Sequence, residues 1–267
     1  MTAVKPKSPI SFKFLRILIL LIILGSIAGY MLYQKYDATD WRDPLTVAIY
    51  PIAGDAAPGT QDYINTLSAK AFQPVEGFLT YQASLYGVNT HPLVQIKLGP
   101  QIHDYPPQID IMNASVWQRI WWSLKLRYWV LTHSPTKQTG RTNVKMYIIY
   151  HQPAPNSMLK ESFGIETGLI GMVNAFASPE YQGMNNVVLT HELLHTLGAT
   201  DKYNMETLAP IYPDGYADPM SNPRYPQNRC EIMAGRVPVT AHEALTPNSI
   251  YDCMVGAKTA KEINWRK

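Results

Sequence analysis

Residues 191–201 read HELLHTLGATD, and the chemistry predicted for the chain follows from this stretch. Two histidines four residues apart lie on one face of a helix, so the imidazoles of His191 and His195 can bind a single cation. Gly198 permits the left-handed backbone turn that ends a helix and reverses the chain. Asp201 follows that turn and offers an oxygen atom as a third ligand.

Zinc suits this donor set. It binds imidazole nitrogen and carboxylate oxygen, and a catalytic zinc site keeps three protein ligands and one open position. Glu192 follows the first histidine, where its carboxylate can take a proton from a water molecule at that position, so we expect it to be the general base. Two ordinary core histidines are the alternative interpretation of this motif, which also arises by chance.

The stretch resembles the signature of the metzincin clan of zinc metallopeptidases, in which HExxHxxGxx is followed by His or Asp and, later, by a Met-turn. The matching residues are His191, Glu192, His195, Gly198 and Asp201. Aspartate as third ligand is similar to the snapalysin-type enzymes. Residues 230–235, CEIMAG, resemble the Met-turn, and this implies that Met233 lies beneath the zinc. The resemblance covers roughly residues 144–267.

The resemblance implies an α+β fold with a mixed twisted sheet, an active-site helix, a Met-turn and a C-terminal helix. We expect that last helix over residues 247–265. The strand predicted at residues 169–177 would form the sheet edge that lines the cleft, where an extended peptide could pair with its backbone. Asn185 and Asn186 are the predicted N-terminal cap of the active-site helix.

A further residue would have to stabilise the oxyanion that forms during hydrolysis. Many metzincins carry a tyrosine two residues after the Met-turn methionine, and this chain has Gly235 there. Tyr203, two residues after Asp201, is the residue that we consider for this role. An ordinary core tyrosine is the alternative.

Other acidic residues offer competing ligand sets. Glu206 or Glu231 as third ligand would give a thermolysin-like arrangement, whereas Asp201 has the metzincin spacing. His242 and Glu243 follow the Met-turn, but isolated surface residues are the simpler interpretation. Residues 214–218, DGYAD, could help to hold calcium, although a plain turn is favoured.

The N-terminal part of the chain indicates a membrane. Residues 1–16 form a basic tail predicted to be cytoplasmic, and residues 17–35 form a predicted transmembrane signal anchor that is mostly Leu and Ile. Residues 41–267 would then be the extracytoplasmic domain, periplasmic or extracellular. A cleavable signal peptide, cut near residues 26–28, is the alternative.

Cys230 and Cys253 are the chain's two cysteines. In an exported domain they are compatible with one disulfide, which would tie the Met-turn region to the C-terminal segment. Buried free thiols are the alternative, and the sequence leaves both open.

Composition agrees with a chain that can bury a full core, because 46% of its 267 residues are hydrophobic and 16% are charged. The net charge of +3 includes the N-terminal tail, and no basic run indicates nucleic-acid binding. Residues 113–132 have apolar positions at helical spacing and four tryptophans. We expect this helix to cover a sheet; contact with a membrane surface or a substrate groove are the alternatives, because basic residues are interleaved. The sequence carries no indication of oligomeric state.

The sequence therefore predicts a membrane-anchored zinc metalloendopeptidase, which hydrolyses peptide or protein substrates through Glu192-assisted attack of zinc-activated water. An exported zinc hydrolase of cell-wall or other non-protein amides is a second hypothesis. A non-catalytic binding or assembly module stabilised by zinc is a third, but a structural zinc site has no use for the base Glu192.

Overall fold

The chain forms one long apolar helix followed by an α+β domain. The structure is a computed structural model that describes residues 12–110, 113–154 and 159–266. In chain order the first elements are α1 (Phe12–Thr39), β1 (Leu45–Ala53), α2 (Pro58–Thr66), α3 (Gln73–Ser84), β2 (Val94–Leu98), α4 (Val116–Thr132), α5 (Thr136–Thr139), β3 (Val144–His151), β4 (Phe163–Ile165), β5 (Ile170–Phe176) and α6 (Gln182–Thr196). The later elements are β6 (Cys230–Glu231), β7 (Val237–Pro238), β8 (Ala244–Leu245), β9 (Cys253–Met254) and α7 (Ala257–Glu262).

Five strands of the described chain form a mixed sheet in the order β2-β1-β3-β5-β4. The first four are parallel, and β4 pairs antiparallel with β5. One row across the sheet places Tyr50 beside Tyr147, Tyr147 beside Met172, and Met172 beside Phe163. We call these four residues the tyrosine row.

Both faces of the sheet are covered, which agrees with the nearly continuous apolar runs of its parallel strands. On one face Val47 and Ile49 pack in a core with α3 and α6. On the other face the alternating residues Ala48 and Tyr50 pack against α4. The expected α+β class with a mixed sheet is confirmed.

The edge strand differs from the expectation. Residues 169–177 were expected to form the sheet edge, but β5 lies between β3 and β4, so that prediction is wrong. The edge is β4, which has three residues. A strand this short has too few residues for an alternating pattern, and its antiparallel pairing depends on a partner that the local sequence does not reveal.

Two helix boundaries also need correction. The C-terminal segment has a 3-10 turn at Ile250–Asp252, then β9, and only Ala257–Glu262 is α-helical, so the predicted helix over 247–265 is too long. Pairing of β9 with β6 holds that stretch extended. Helix α6, the predicted active-site helix, begins at Gln182 rather than after Asn185, whose side-chain amide instead bonds the backbone of Phe176.

The N-terminal helix α1 spans 28 residues, more than the predicted 17–35 segment. Its length and composition suffice to cross a membrane, as those of a signal sequence also can. Residues 1–11 of the predicted basic tail lie outside the described residues. At its other end α1 passes directly into the domain: Ala38 and Thr39 are buried, and the Trp41 indole donates to the Ile263 carbonyl at 2.7 Å.

Candidate metal centre

Helix α6 carries the two histidines on its partly exposed face. Its opposite face is anchored by buried Val187, Leu193 and Leu194, which pack in the core beneath the sheet. The helix ends as predicted. Gly198 has φ +103°, and the next N–H, that of Ala199, donates to the Leu194 carbonyl at 3.0 Å. This left-handed turn redirects the chain towards Asp201.

The side chains of His191, His195 and Asp201 converge. His195 Nε2 lies 3.0 Å from His191 Nε2 and 3.0 Å from Asp201 Oδ1, and His191 Nε2 lies 3.1 Å from the same oxygen. Three tetrahedral ligands about 2.0–2.1 Å from zinc lie about 3.3 Å apart, within a few tenths of an ångström of this triangle. In the described part of the chain, this trio is the group of ligand atoms close enough to share a metal ion.

Backbone carbonyls determine which ring nitrogens face the cluster. His191 Nδ1 lies 3.0 Å from the Ile232 carbonyl oxygen, and His195 Nδ1 lies 2.8 Å from that of Ala199. A carbonyl oxygen only accepts, so each Nδ1 carries the proton and each Nε2 presents a lone pair. Two lone pairs and a carboxylate oxygen then meet with no donor among them, and a cation resolves their mutual repulsion.

The charge of Asp201 agrees with a cationic centre. In the metal-free chain a proton can take the place of the cation, because an imidazolium donates through both ring nitrogens. Burial tends to raise the pKa of the Asp201 carboxyl group, but hydrogen bonds from protonated His191 and His195 outweigh this and hold the pKa well below its usual range. Burial likewise tends to lower the pKa of His191. The hydrogen bond to Asp201 and the charge of Glu192 reverse this, so the pKa of His191 is raised. The three groups therefore favour positive charge between them.

Glu192 lies beside this cluster with 6% of its surface exposed. Burial raises the pKa of its carboxyl group above the ordinary value, and the two histidines partly oppose that shift. The backbone N–H of Gly164, in β4, bonds the carboxylate. The atom Oε2 is buried and has no hydrogen-bond partner among the described residues. A buried carboxylate oxygen without a partner fits a site where a water molecule belongs.

The segment after α6 is held by an ion pair between the buried Lys202 and the partly buried Glu262. The Lys202 ammonium donates to Thr200 and, at 2.8 Å, to the Glu262 carboxylate at the end of α7. The backbone N–H of Lys202 donates to the Met233 carbonyl at 3.0 Å. These contacts fix the residues on both sides of Asp201. Sequence reasoning missed Lys202, Thr200 and Glu262, because no spacing signal links residues 60 positions apart.

Met233 occupies a tight turn next to the cluster. Its side chain is buried, the preceding carbonyl of Ile232 accepts from His191, and the Ala234 N–H donates to the Glu231 carbonyl at 3.0 Å. Gly235 follows with φ +67°. Met233 is thus held between the first histidine and the segment of the third predicted ligand.

Glu231 and a disulfide support this turn. The buried Glu231 carboxylate accepts from the N–H groups of Met233 and Gly256 at 2.6 and 3.0 Å, and from the Thr259 hydroxyl at 2.7 Å. Cys230 and Cys253 are joined in a disulfide, the first of the two alternatives that the sequence left open.

Tyr203 is brought to the site. Its ring centroid lies 6.2 Å from that of His191, and its hydroxyl bonds the Asp201 carboxylate. Burial first, and the negative charges of Asp201, Glu192 and Glu161 next, raise the pKa of Tyr203 to about 12. The hydroxyl therefore keeps its proton at neutral pH.

The competing ligands do not join the cluster. Glu206, His242 and Glu243 are exposed, and Glu231 is occupied by the hydrogen bonds of the turn. Within residues 214–218, Asp218 Oδ1 accepts from the Met220 N–H, as in a plain turn.

Comparisons with known proteins place the chain in no family. No family model matches it, and no curated protein matches it. Among solved structures, wild-type OgpA from Akkermansia muciniphila is similar with a TM-score of 0.39 and 13% sequence identity, over 81% of this chain and 58% of OgpA. A likeness at this level supports no statement about fold family or activity.

Proposed function

We propose that this protein is a membrane-anchored zinc metalloendopeptidase of metzincin type, with His191, His195 and Asp201 as the metal ligands and Glu192 as the general base. The observation that carries the proposal is the convergence of three acceptor atoms beside a buried carboxylate oxygen without a partner. Met233 would be the Met-turn methionine. Without Glu192, the donor set would equally suit a non-haem iron oxygenase, so this base is what favours hydrolysis.

When bound, zinc would supply Lewis-acid activation of a water molecule and of the scissile carbonyl. Glu192 Oε2 accepts the proton of that water, and Glu192 later delivers it to the departing amine. The raised pKa of Glu192 suits this exchange, because an acid–base group works best with a pKa near the working pH. The Gly164 N–H holds the other part of the carboxylate and so orients Oε2.

The remaining residues of the site orient the metal ligands, the developing oxyanion and the substrate. The carbonyls of Ile232 and Ala199 keep both imidazoles in the tautomer that binds metal through Nε2. Tyr203 keeps its hydroxyl proton and lies at the cluster, so it can donate to the developing oxyanion. An extended peptide paired alongside the edge strand β4 would pass next to Glu192, because Gly164 contacts that carboxylate.

We also propose the topology expected from the sequence, with a cytoplasmic N-terminus and the domain outside. The disulfide between Cys230 and Cys253 supports it, because such bonds persist in oxidising compartments. The basic residues Lys13 and Arg16 on the side of α1 away from the domain support it as well.

The test is metal analysis and peptide cleavage with the full chain in detergent micelles. We expect about one zinc per chain and metal-dependent cleavage of a diverse peptide mixture. Glu192→Gln should keep the metal and lose cleavage by about 100-fold or more. Asp201→Ala should lose the metal, and the exposed Glu206→Gln serves as the matched control.

Three results would contradict the proposal. If Glu192→Gln bound one equivalent of zinc and kept its activity unchanged, Glu192 could not be the general base. Zinc with no hydrolysis of any amide would indicate the non-catalytic module instead. Cleavage of purified cell-wall fragments but of no peptide would assign the site to the second substrate class.

A further inference from the structure

Helix α4 has two apolar faces, and the sheet covers only one of them. Leu126, Trp129 and Val130 are buried against the sheet. Seven other large apolar residues of the helix are between 46% and 79% exposed: Val116, Trp117, Ile120, Trp121, Leu124, Tyr128 and Leu131. The prediction that this helix covers a sheet thus accounts for only part of its sequence.

The exposed apolar residues form one continuous stripe. With about 100° between successive helical residues, all seven fall within about 140° of the helix circumference. We call them the α4 stripe. Arg127 lies about 20° inside one margin of the stripe, and Lys125 lies beyond the other margin, where its ammonium is 5.7 Å from the Trp121 ring centroid. The helix carries three basic residues and no acidic one.

Contacts connect α4 to the end of the anchor helix. Lys35 of α1 forms an ion pair with Glu166, in the turn between β4 and β5. Two residues later, Gly168 lies against the Arg127 guanidinium, 3.5 Å from the position that a Cβ would occupy. Two residues span at most about 7 Å, so the margin of the stripe lies close to the point where α1 enters the domain.

Helix α4 lies across the sheet, near the end of the strands that the anchor meets. Trp122 packs on Phe163, Trp129 packs on Tyr147, and the Pro135 carbonyl accepts from Tyr50. These contacts follow the tyrosine row, so α4 crosses the strands instead of running along them. The anchor meets the beginnings of the strands, where Asp37 accepts from Asn143 just before β3. Tyr147 is the fourth residue of β3, so α4 crosses β3 about 10 Å from the end that the anchor meets.

The anchor itself indicates where the bilayer surface lies. Tyr30, Tyr33 and Tyr36 are exposed near its domain end, together with Lys35. Tyrosine beside a basic residue is typical of the membrane–water interface. The interface therefore falls at the level of the Lys35–Glu166 ion pair. No flexible linker separates it from the domain, because Ala38 and Thr39 are already buried.

We propose that the α4 stripe is a second membrane contact: it lies in the lipid interface of the bilayer that α1 spans, with Arg119, Lys125 and Arg127 at the level of the lipid headgroups. An exposed apolar stripe rich in Trp and Tyr and bordered by basic residues is typical of interfacial helices. The contact rests on the membrane anchoring proposed above and is independent of the peptidase chemistry. It would hold the metal centre at a fixed height above the bilayer.

The test uses the full chain reconstituted in vesicles of phosphatidylcholine and phosphatidylglycerol, with or without phosphatidylcholine brominated in its acyl chains. Bromine quenches only tryptophans that touch lipid. Two of the six tryptophans, Trp117 and Trp121, lie on the stripe, so brominated lipid should remove about one third of the emission. Trp117→Phe/Trp121→Phe should abolish that loss, and the tryptophans that remain serve as the internal control.

A second pair of variants tests the apolar contact without changing tryptophan. Leu124→Gln/Leu131→Gln places amides in the stripe and should at least halve the quenching by brominated lipid. Leu85→Gln/Leu245→Gln is the matched control, because both leucines are exposed and lie off α4. It should leave the quenching unchanged.

The following outcomes would overturn the inference. Quenching of Trp117 and Trp121 by aqueous iodide in vesicles would show that the stripe faces water. Protection from both iodide and brominated lipid would indicate a protein partner or a second copy of the chain. Release of the chain by a high-salt wash would reject the anchoring and the stripe contact together. Peptide cleavage measured on the same vesicles tests the proposed peptidase activity independently of the stripe contact.

Discussion

The ammonium group of Lys202 lies 2.8 Å from the carboxylate of Glu262, in an ion pair that connects the residue after Asp201 to the last helix of the chain. Thr200 bonds the same carboxylate through its N–H and its hydroxyl, at 3.0 and 2.9 Å. These contacts therefore hold the loop of the third proposed ligand on both sides of Asp201. We call Thr200, Lys202 and Glu262 the clamp.

Removing the lysine should loosen the proposed metal site. Lys202→Met leaves Glu262 without its cation and frees the Asp201 segment, so we expect metal affinity to fall by about tenfold or more. The free energy of unfolding should fall by about 2 kcal/mol, because the partly buried Glu262 carboxylate loses a hydrogen bond from a charged donor. Competition with a chelator and denaturant unfolding measure the two effects. The exposed Lys258→Met, on α7, is the control; equal effects of both variants would refute the clamp.

The clamp also predicts a pH dependence. Partial burial tends to raise the pKa of Glu262, but hydrogen bonds from Lys202 and Thr200 outweigh this and lower it below the ordinary 4.5. A carboxyl group with a lowered pKa stabilises the folded state above its unfolded pKa, and this is lost as the pH falls through its folded pKa. The stability difference between wild type and Glu262→Gln should thus be full at neutral pH and shrink below about pH 4.5.

Unfolding by denaturant at a series of pH values measures this difference. The metal-free protein is used, so that metal release at low pH does not contribute. A difference that stayed constant down to pH 3 would contradict the assignment to Glu262.

The approach of β4 to α6 depends on Gly164. A Cβ at this position would overlap the Glu192 carbonyl oxygen and lie 2.7 Å from the Cβ of His195. Gly164→Ala should therefore push the edge strand from the helix, reduce cleavage by about tenfold and cost about 2 kcal/mol of stability. Kinetics and unfolding check both effects.

Gly77→Ala is the matched control, because a Cβ there meets no atom within 4 Å. This glycine lies inside α3, so alanine should stabilise the protein by about 0.5–1 kcal/mol. Activity of Gly164→Ala equal to that of Gly77→Ala would show that β4 does not support the site.

Replacing the buried Glu231 by glutamine should destabilise the protein, although the two side chains have nearly the same shape. One carboxylate oxygen accepts from the N–H groups of Met233 and Ala234, and the other accepts from Gly256 and Thr259. In Glu231→Gln the amide NH2 must face donors in either orientation, so we expect a loss of about 3 kcal/mol in unfolding free energy. The exposed Glu243→Gln should change it by less than about 0.5 kcal/mol. A similar small change in Glu231→Gln would contradict this account of the turn.

The pattern around α6 was readable because it is local. His191 and His195 share a helix face through the period of the helix, and Gly198 ends that helix because it can adopt a positive φ. Asp201 follows at a short distance along the chain. Such features depend on neighbours within a few residues, and the side-chain geometry agrees with them.

The edge strand and the clamp could not be read in this way. Phe163–Ile165 becomes a strand only because β5 offers it a backbone to pair with. Lys202 meets Glu262 across 60 residues of chain, and neither has a local signal. Nor does the periodicity of α4 reveal which of its apolar faces the sheet covers.

The sequence alone determined the membrane-length helix at the N-terminus, the strands with continuous apolar runs and the paired histidines of α6, because each depends on side-chain order within one element. Tertiary structure decided that β4 forms the sheet edge against Glu192, that Ile232 and Ala199 select the tautomers of the two histidines, and that Glu262 holds the loop of Asp201. Those outcomes depend on backbone groups and charges brought together from distant parts of the chain, and no local pattern encodes such distances.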